Sequence, residues 1–152
     1  NNGKKAGMDY WPKLKLREHL SYTDFLKEIR EKAKEKDCLN GLQDCASLRK
    51  EPFRAATEPQ IWYATTKAKR TYTEVSFSEN DYIMFGKESA GIPEEILVEN
   101  EEHCIRIPML PEARSLNLSN SVAIILYEAL RQQDFKSLKK EGELHRLHWK
   151  EE

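Results

Sequence analysis

The sequence predicts an α/β domain with a mostly parallel sheet flanked by helices. Three observations carry that reading. Short β-branched and aromatic runs with little alternation recur between residues 61 and 108, as strands buried on both faces of a parallel sheet require. Helical apolar spacing appears between and after them, and strands alternating with helices define the class. The chain of 152 residues lies in the size range of one domain. At that length a fold buries about 70% of the surface its unfolded chain exposes, so no metal or disulfide is needed to hold it.

The elements follow in order. Within the polar first part, residues 1–60, Phe25, Leu26, Ile29 and Ala33 fall on one face of a surface helix expected from about Thr23 to Lys36. Asp24 in its first turn complements the helix dipole. Glu28–Lys32 and Glu31–Glu35 sit at i,i+4 on its outer side, which reads as a solvated face. From Asp37 to Pro59 the pattern dissolves into a loop or insertion, with at most a short helix around Asp44–Lys50.

Ile61–Thr66 and Asp81–Gly86 are the first two strands. Pro93 with Glu94 and Glu95 opens a short helix near Ile92–Leu97, since proline suits the first turn and acids complement the dipole there. His103–Pro108 is a third strand, stopped by a proline that cannot donate to a ladder. A last helix runs from Leu118 to about Gln132, with Leu118, Val122, Ile125, Leu126 and Ala129 on its packed stripe and Asn117 or Ser119 as cap. The organisation is thus residues 1–60 as an N-terminal part, 61–135 as the core and 136–152 as a charged tail, all one domain.

Composition excludes several classes. Lys and Arg number 25 against 26 Asp and Glu, so the net charge of −1 announces no nucleic-acid binder, and any such contact needs a local cationic patch. Cys38, Cys45 and Cys104 form no even framework and lack the spacing of zinc ligands or a redox dithiol, so they read as reduced thiols of a cytoplasmic protein with no metal. No apolar run reaches the roughly 20 residues needed to cross a bilayer, and Asn1–Lys5 lacks a signal-peptide core, so no membrane partner is expected. The start without Met reads as mid-chain, and the expectation is a natural protein that begins upstream.

Three loops follow the expected strands, where open α/β sheets bind ligands. The first comes after Thr66. The second, Gly86–Pro93, has two glycines around Glu88, as a turn or a close backbone approach requires. The third, Ile107–Ser121, ends at a helix start rich in Ser and Asn, whose free N–H groups suit a carboxylate or phosphate.

The strings Ile83-Met84-Phe85-Gly86-x-Glu88, Ile105-Arg106-Ile107-Pro108-Met109 and Arg114-Ser115-Leu116-Asn117-Leu118-Ser119-Asn120-Ser121-Val122-Ala123, followed by Tyr127-Glu128-Ala129, resemble the SpoU-type SPOUT RNA methyltransferases. More narrowly they are similar to the small branch that methylates the 2′-hydroxyl of tRNA nucleotide 34. The likeness covers about Ile61–Gln133, and Lys4–Trp11 resembles that branch's lead-in. It implies a C-terminal deep trefoil knot, an exception to the un-knotted rule, together with a homodimer, S-adenosyl-L-methionine as cofactor and tRNA as partner.

Matched by motif, Ala64, Gly86, Glu88, Ile107, Ser115 and Leu116 would hold the cofactor. Glu88 either anchors the second loop or caps the helix near Ile92. Asn120 and Tyr127 are the matched candidates for catalysis, with capping (shared with Ser119) and core packing as their respective alternatives. Lys67, Arg106 and Arg114, with Lys69, Arg70 and Lys87 nearby, would meet RNA or else be solvated surface charge. The family's N-terminal arginine motif has no counterpart in this sequence: Arg17, Arg30, Arg49 and Arg54 lie in other contexts. Positioning is the role such a permanently protonated side chain can fill. The expectation is therefore tRNA ribose 2′-O-methylation at the wobble position. A catalytically silent RNA-binding or dimerisation module is the alternative, and ribosomal RNA is a third substrate reading. His145, Arg146, His148 and Trp149 mark the tail without assigning it a role.

Overall fold

The computed structural model describes residues 17–39 and 59–150, with side chains to Glu35 in the first segment. The chain forms two compact units, Asn1–Arg54 and Ala55–Glu152.

In the first unit α1 spans Tyr22–Leu39. Its start is a reciprocal cap: Ser21 Oγ accepts the Asp24 N–H at 3.2 Å and donates to Asp24 Oδ2 at 2.9 Å. The helix continues past Lys36 because neither Gly nor Pro interrupts the backbone before Gly41. The Glu28–Lys32 pair forms as expected and is joined by Arg17. The Lys32 hydrogen bond first, then that of Arg17, holds the Glu28 carboxyl below its usual range. The short helix expected at Asp44–Lys50, and Cys45 with it, lie outside the described residues, as does the side chain of Cys38.

In the second unit β1 (Ile61–Ala64), β2 (Tyr82–Phe85) and β3 (Cys104–Ile105) form a parallel sheet in the order β2-β1-β3. Trp62 pairs with Ile83 and Ala64 with Phe85 on one side, and Ala64 with Ile105 on the other. The central strand has Trp62 and Tyr63 buried, whereas β2, at an edge, is half-buried along its whole length rather than covered on both faces. The third strand is shorter than His103–Pro108. His103 closes a 3-10 turn, Glu101–His103, and Arg106 leaves the sheet to pair with the crossover, its N–H donating to Arg70 O at 2.9 Å and its carbonyl accepting from Tyr72 at 3.0 Å.

The crossover from β1 to β2 is irregular, where an alternating βα pattern would place a helix. Its Val75 and Phe77 still enter the core with Trp62, Ile105 and Ile125. Trp62 meets Phe77 edge to face at 5.5 Å between centroids and donates its indole N–H to Asp81 Oδ2 at 2.9 Å. Asp81 also accepts the Gln60 and Ser78 N–H groups, both at 2.9 Å, so one carboxylate ties the entry of β1 to that of β2.

Between β2 and β3 lies α2 (Glu94–Glu99), with Pro93 as N-cap and both expected acids in its first turn. No side chain caps it, so the capping role considered for Glu88 is not realised. Cys104 is buried, and burial pushes its thiol up, the state of an inert packed cysteine.

The last helix, α3 (Leu118–Gln132), packs Ile125 and Ala129 on the sheet. Leu126, expected on that stripe, is instead 44% exposed, and Tyr127 is 59% exposed, so packing does not account for the tyrosine. Their 100° steps carry them past the buried edge set by Ile125. At its far end α3 grips the crossover through side chains: Gln132 accepts the Phe77 N–H at 2.8 Å and donates to Val75 O at 3.0 Å, and Gln133 donates to Phe77 O at 2.7 Å.

Glu128 completes this end. Arg131 donates to it from Nε at 2.8 Å and from its terminal nitrogen at 2.9 Å, and Gln132 adds a bond at 3.0 Å. Arg131 first and Gln132 second depress the Glu128 carboxyl from its ordinary 4.5 to about 2. Its stabilisation is therefore complete above pH 4.5 and is lost as pH falls through about 2. Acid titration followed by circular dichroism should show a shallower loss over that window in Glu128→Gln than in the parent chain.

Among the described residues no helix is long and apolar enough to cross a membrane, and no group of three or more His, Cys, Asp or Glu could hold a metal ion.

Candidate functional site

The carboxyl ends of the three parallel strands open into one cavity of about 420 Å³. Its volume is that of small-molecule sites, and its place is where parallel sheets bind ligands. Each strand delivers one wall. β1 ends at Ala64 and passes into Thr65, Thr66 and Lys67. Thr65 is held down by its N–H bond to Ile105 O at 2.9 Å, and its hydroxyl accepts the Lys67 N–H at 3.3 Å.

β2 ends at Phe85 and turns into the loop Gly86–Ile92. The Gly91 N–H returns to Lys87 O at 2.8 Å, so the loop closes back on its own stem. Gly91 has φ +70°, the left-handed conformation that glycine adopts without strain. At Gly86 the reason for glycine is different. A Cβ there would lie 2.2 Å from the carbonyl carbon of Gly91 and 2.4 Å from the Ile92 nitrogen. Glu88, at the exposed tip, is the carboxylate on the cavity wall, while Lys67 on the facing wall is paired with Glu94. The Lys67 hydrogen bond holds Glu94 below the usual carboxylate range.

The third wall comes from Ile105, Ile107 and Met109, then Ser115 and Leu116, where the chain returns over the opening to start α3. Asn117 is the cap: its Oδ1 accepts the Ser119 N–H at 2.9 Å and the Asn120 N–H at 3.4 Å. Ser121 donates its hydroxyl to Asn117 O at 3.1 Å, one turn on, and also reaches the cavity. The Ser119 and Asn120 side chains are not the cap. Asn117→Ala should cost about 1 kcal/mol of stability. Because Asn117 itself lines the cavity, ligand affinity should fall with it. Urea unfolding beside a calorimetric titration separates the two effects.

The cavity thus unites Ala64, Gly86, Glu88, Ile107, Ser115, Leu116 and Lys67, all expected at a site, around an Ile105–Ile125 floor. Asn120, Tyr127, Arg106 and Arg114 lie off its wall. Arg106 is half-buried beside β3, and Arg114 stands exposed in the third loop. Lys69 pairs with Glu101, and Arg70 donates to Glu102 O at 3.3 Å. Sequence reasoning passed over Thr65, Asn117 and Ser121 as cavity residues. Asn117 and Ser121 at i,i+4 on the first turn of a helix were the available signal.

Comparisons with known proteins place the chain in a family. The model of the SpoU rRNA Methylase family matches residues 36–127. A Listeria innocua protein described as "Putative tRNA (cytidine(34)-2'-O)-methyltransferase" is 39% identical over 151 residues, covering 97% of this chain and 73% of its own length. The Escherichia coli K12 protein described as tRNA (cytidine(34)-2'-O)-methyltransferase is 48% identical over 82 residues, 53% of this chain and 52% of its own. A solved structure described by the words "Structural insights into the 2-OH methylation of C/U34 on tRNA" has 31% identity and a TM-score of 0.62, covering 86% of this chain and 67% of that one. With the family model matched across all three strands, the cavity loops and most of α3, the chain belongs to the SpoU methylase family.

Proposed function

We propose that this chain is a tRNA ribose 2′-O-methyltransferase that uses S-adenosyl-L-methionine and acts on the wobble nucleotide 34. The observation that carries the reading is the single cavity at the strand ends, lined by the residues of all three family motifs. Its surfaces fit the cofactor. Ile107, Met109 and Leu116 offer apolar contact for a flat base, while the backbone at Gly86 and Gly91 and the hydroxyls of Ser115 and Ser121 offer polar contact. A Cβ at Gly91 would meet nothing within 4 Å, so that loop keeps open space a ligand can use.

Bound cofactor supplies an electrophilic methyl group on a sulfonium. The protein's own work is to bind and orient the reactants and to let the hydroxyl proton go as the oxygen–methyl bond forms: holding a weakly nucleophilic hydroxyl in line lowers the barrier, and the proton leaves to a neighbouring acceptor or to water. Glu88 is placed to accept a hydrogen bond from a ligand hydroxyl or ammonium at the cavity mouth. Asn120, at the start of α3, and Tyr127, exposed on α3, stand as substrate-facing candidates, and Lys67, Arg106 and Arg114 as the cationic rim for RNA phosphates. Lys67 would exchange its Glu94 partner for phosphate, at little cost because a surface ion pair contributes about 0–1 kcal/mol.

The return of the chain from Ile107 over the opening to α3 supports a trefoil knot around the cofactor. The outward face of α3, where Ile124, Leu126 and Tyr127 are 36%, 44% and 59% exposed, supports burial against a second copy, and a tRNA substrate supports a cytoplasmic location.

The test is transfer of labelled methyl from S-adenosyl-L-methionine to tRNA, beside the same tRNA carrying 2′-deoxyribose at nucleotide 34. Methylation of the first alone is expected. Cofactor binding with no turnover on any tRNA would leave a silent RNA-binding module, and no cofactor binding would sink the methyltransferase reading.

A further inference from the structure

The shape of the cavity leaves the charges on its wall unassigned. Three charged residues line it, Lys67, Lys87 and Glu88, and the remaining lining residues are uncharged. Lys67 is paired with Glu94. Among the described residues neither Lys87 nor Glu88 has an ion-pair partner, and the two are not paired with each other. Glu88 is not spent on α2 either, because no side chain caps that helix. After the Lys67–Glu94 pair is formed, the cavity therefore presents one cation and one carboxylate, on consecutive residues.

Both stand on backbone that is held in place. Lys87 O accepts the Gly91 N–H at 2.8 Å and the Ala90 N–H at 3.3 Å, and Gly86 before it lies so close to Gly91 that a Cβ would not fit. The cavity is also ordered in polarity. β3 and the third loop supply Ile105, Ile107, Met109 and Leu116, whereas the second loop supplies the charges. A ligand matched to both has a flat apolar body and, apart from it, a positive and a negative group side by side. S-adenosyl-L-methionine carries both parts: its adenine is the flat body, and its amino-acid end bears an ammonium and a carboxylate. A phosphate would suit Lys87 but would bring its charge against Glu88, and like charges brought together are disfavoured.

We propose that Lys87 and Glu88 clamp the zwitterionic amino-acid end of the cofactor, Lys87 donating to its carboxylate and Glu88 accepting from its ammonium. The clamp rests on the S-adenosyl-L-methionine reading and deepens it. It gives Lys87 a role in cofactor selection, holding ligands that carry the amino acid over those that lack it.

The experiment is calorimetric titration of the full chain with S-adenosyl-L-methionine, S-adenosylhomocysteine and 5′-methylthioadenosine. The last two share adenosine and a neutral sulfur, and only the former keeps the amino acid. Lys87→Gln and Glu88→Gln should each weaken both amino-acid ligands by roughly 5-fold, the upper range for an exposed ion pair. Lys87→Glu should weaken them further, and 5′-methylthioadenosine should bind all three variants as it binds the parent. Parent-like affinity of Lys87→Gln for S-adenosylhomocysteine overturns the clamp. So does an equal loss for 5′-methylthioadenosine, which would mark a role in loop shape, or a loss of tRNA affinity with cofactor affinity intact, which would make Lys87 an RNA contact. The two readings separate in the parent chain. If it binds 5′-methylthioadenosine as tightly as S-adenosylhomocysteine, the clamp alone falls; if it binds none of the three, the methyltransferase reading falls and the clamp with it.

Discussion

Gly86→Ala is expected to remove S-adenosyl-L-methionine binding while leaving the sheet folded. The new methyl would sit 2.2 Å from the Gly91 carbonyl carbon, 2.4 Å from the Ile92 nitrogen and 2.5 Å from the Gly91 Cα. All three are backbone atoms, so no side chain can swing aside to relieve the overlap. The stem of the loop must open instead, breaking the 2.8 Å bond from the Gly91 N–H to Lys87 O. That shift displaces the wall carrying Glu88 and Ile92 and with it the surface the cavity offers a ligand. The strand itself is spared, because the β1–β2 register ends at Phe85. Gly91→Ala is the informative contrast. Its Cβ would meet nothing, so only the left-handed φ of +70° is penalised, by about 1–2 kcal/mol. Calorimetric titration of both variants, with circular dichroism as control, should rank Gly86→Ala far below Gly91→Ala. Equal affinities would mean that the closed stem does not shape the site.

The contrast between these two glycines also shows what the sequence made legible. Two glycines after an apolar run placed a loop that lines the cavity, yet nothing in the string separates the one required by a close approach from the one required by its φ. Strands β1 and β2 were legible because dense β-branched and aromatic runs leave few alternatives. The cavity residues followed from strand ends and motif. What was hidden depends on distant partners. Leu126 was misread because α3 carries apolar residues on more than one face, and periodicity alone does not say which face the sheet takes. The crossover was illegible for a similar reason. Its Val75 and Phe77 are held by Gln132 and Gln133, side-chain bonds across more than 50 residues that leave no local pattern. The third strand shortened because Arg106 found a partner in the crossover, outside the sheet.

Ile105→Ala should show how closely the core and the cavity are joined. Ile105 is 0% exposed, belongs to the central cluster with Trp62, Val75, Phe77 and Ile125, and lines the cavity floor. Removing its outer atoms loses their burial and leaves a void, at a cost of roughly 2–5 kcal/mol. Against the 5–15 kcal/mol typical of a domain this is a large fraction. For a unit of this size each kcal/mol lowers the unfolding midpoint by about 4–8 °C, so a fall of at least about 8 °C is expected. Ile105→Val, which deletes one methylene, should cost only about 1 kcal/mol. The bond from the Thr65 N–H to Ile105 O belongs to the backbone and survives both changes, so the first wall of the cavity keeps its anchor. Affinity should therefore fall less than stability in the folded fraction of Ile105→Ala, through the thinner floor beneath the ligand. Thermal unfolding, paired with titration well below the midpoint, reads the two separately. A midpoint lowered by less than about 4 °C would mean that the floor closes over the void, and that the cavity is softer than its buried isoleucines imply.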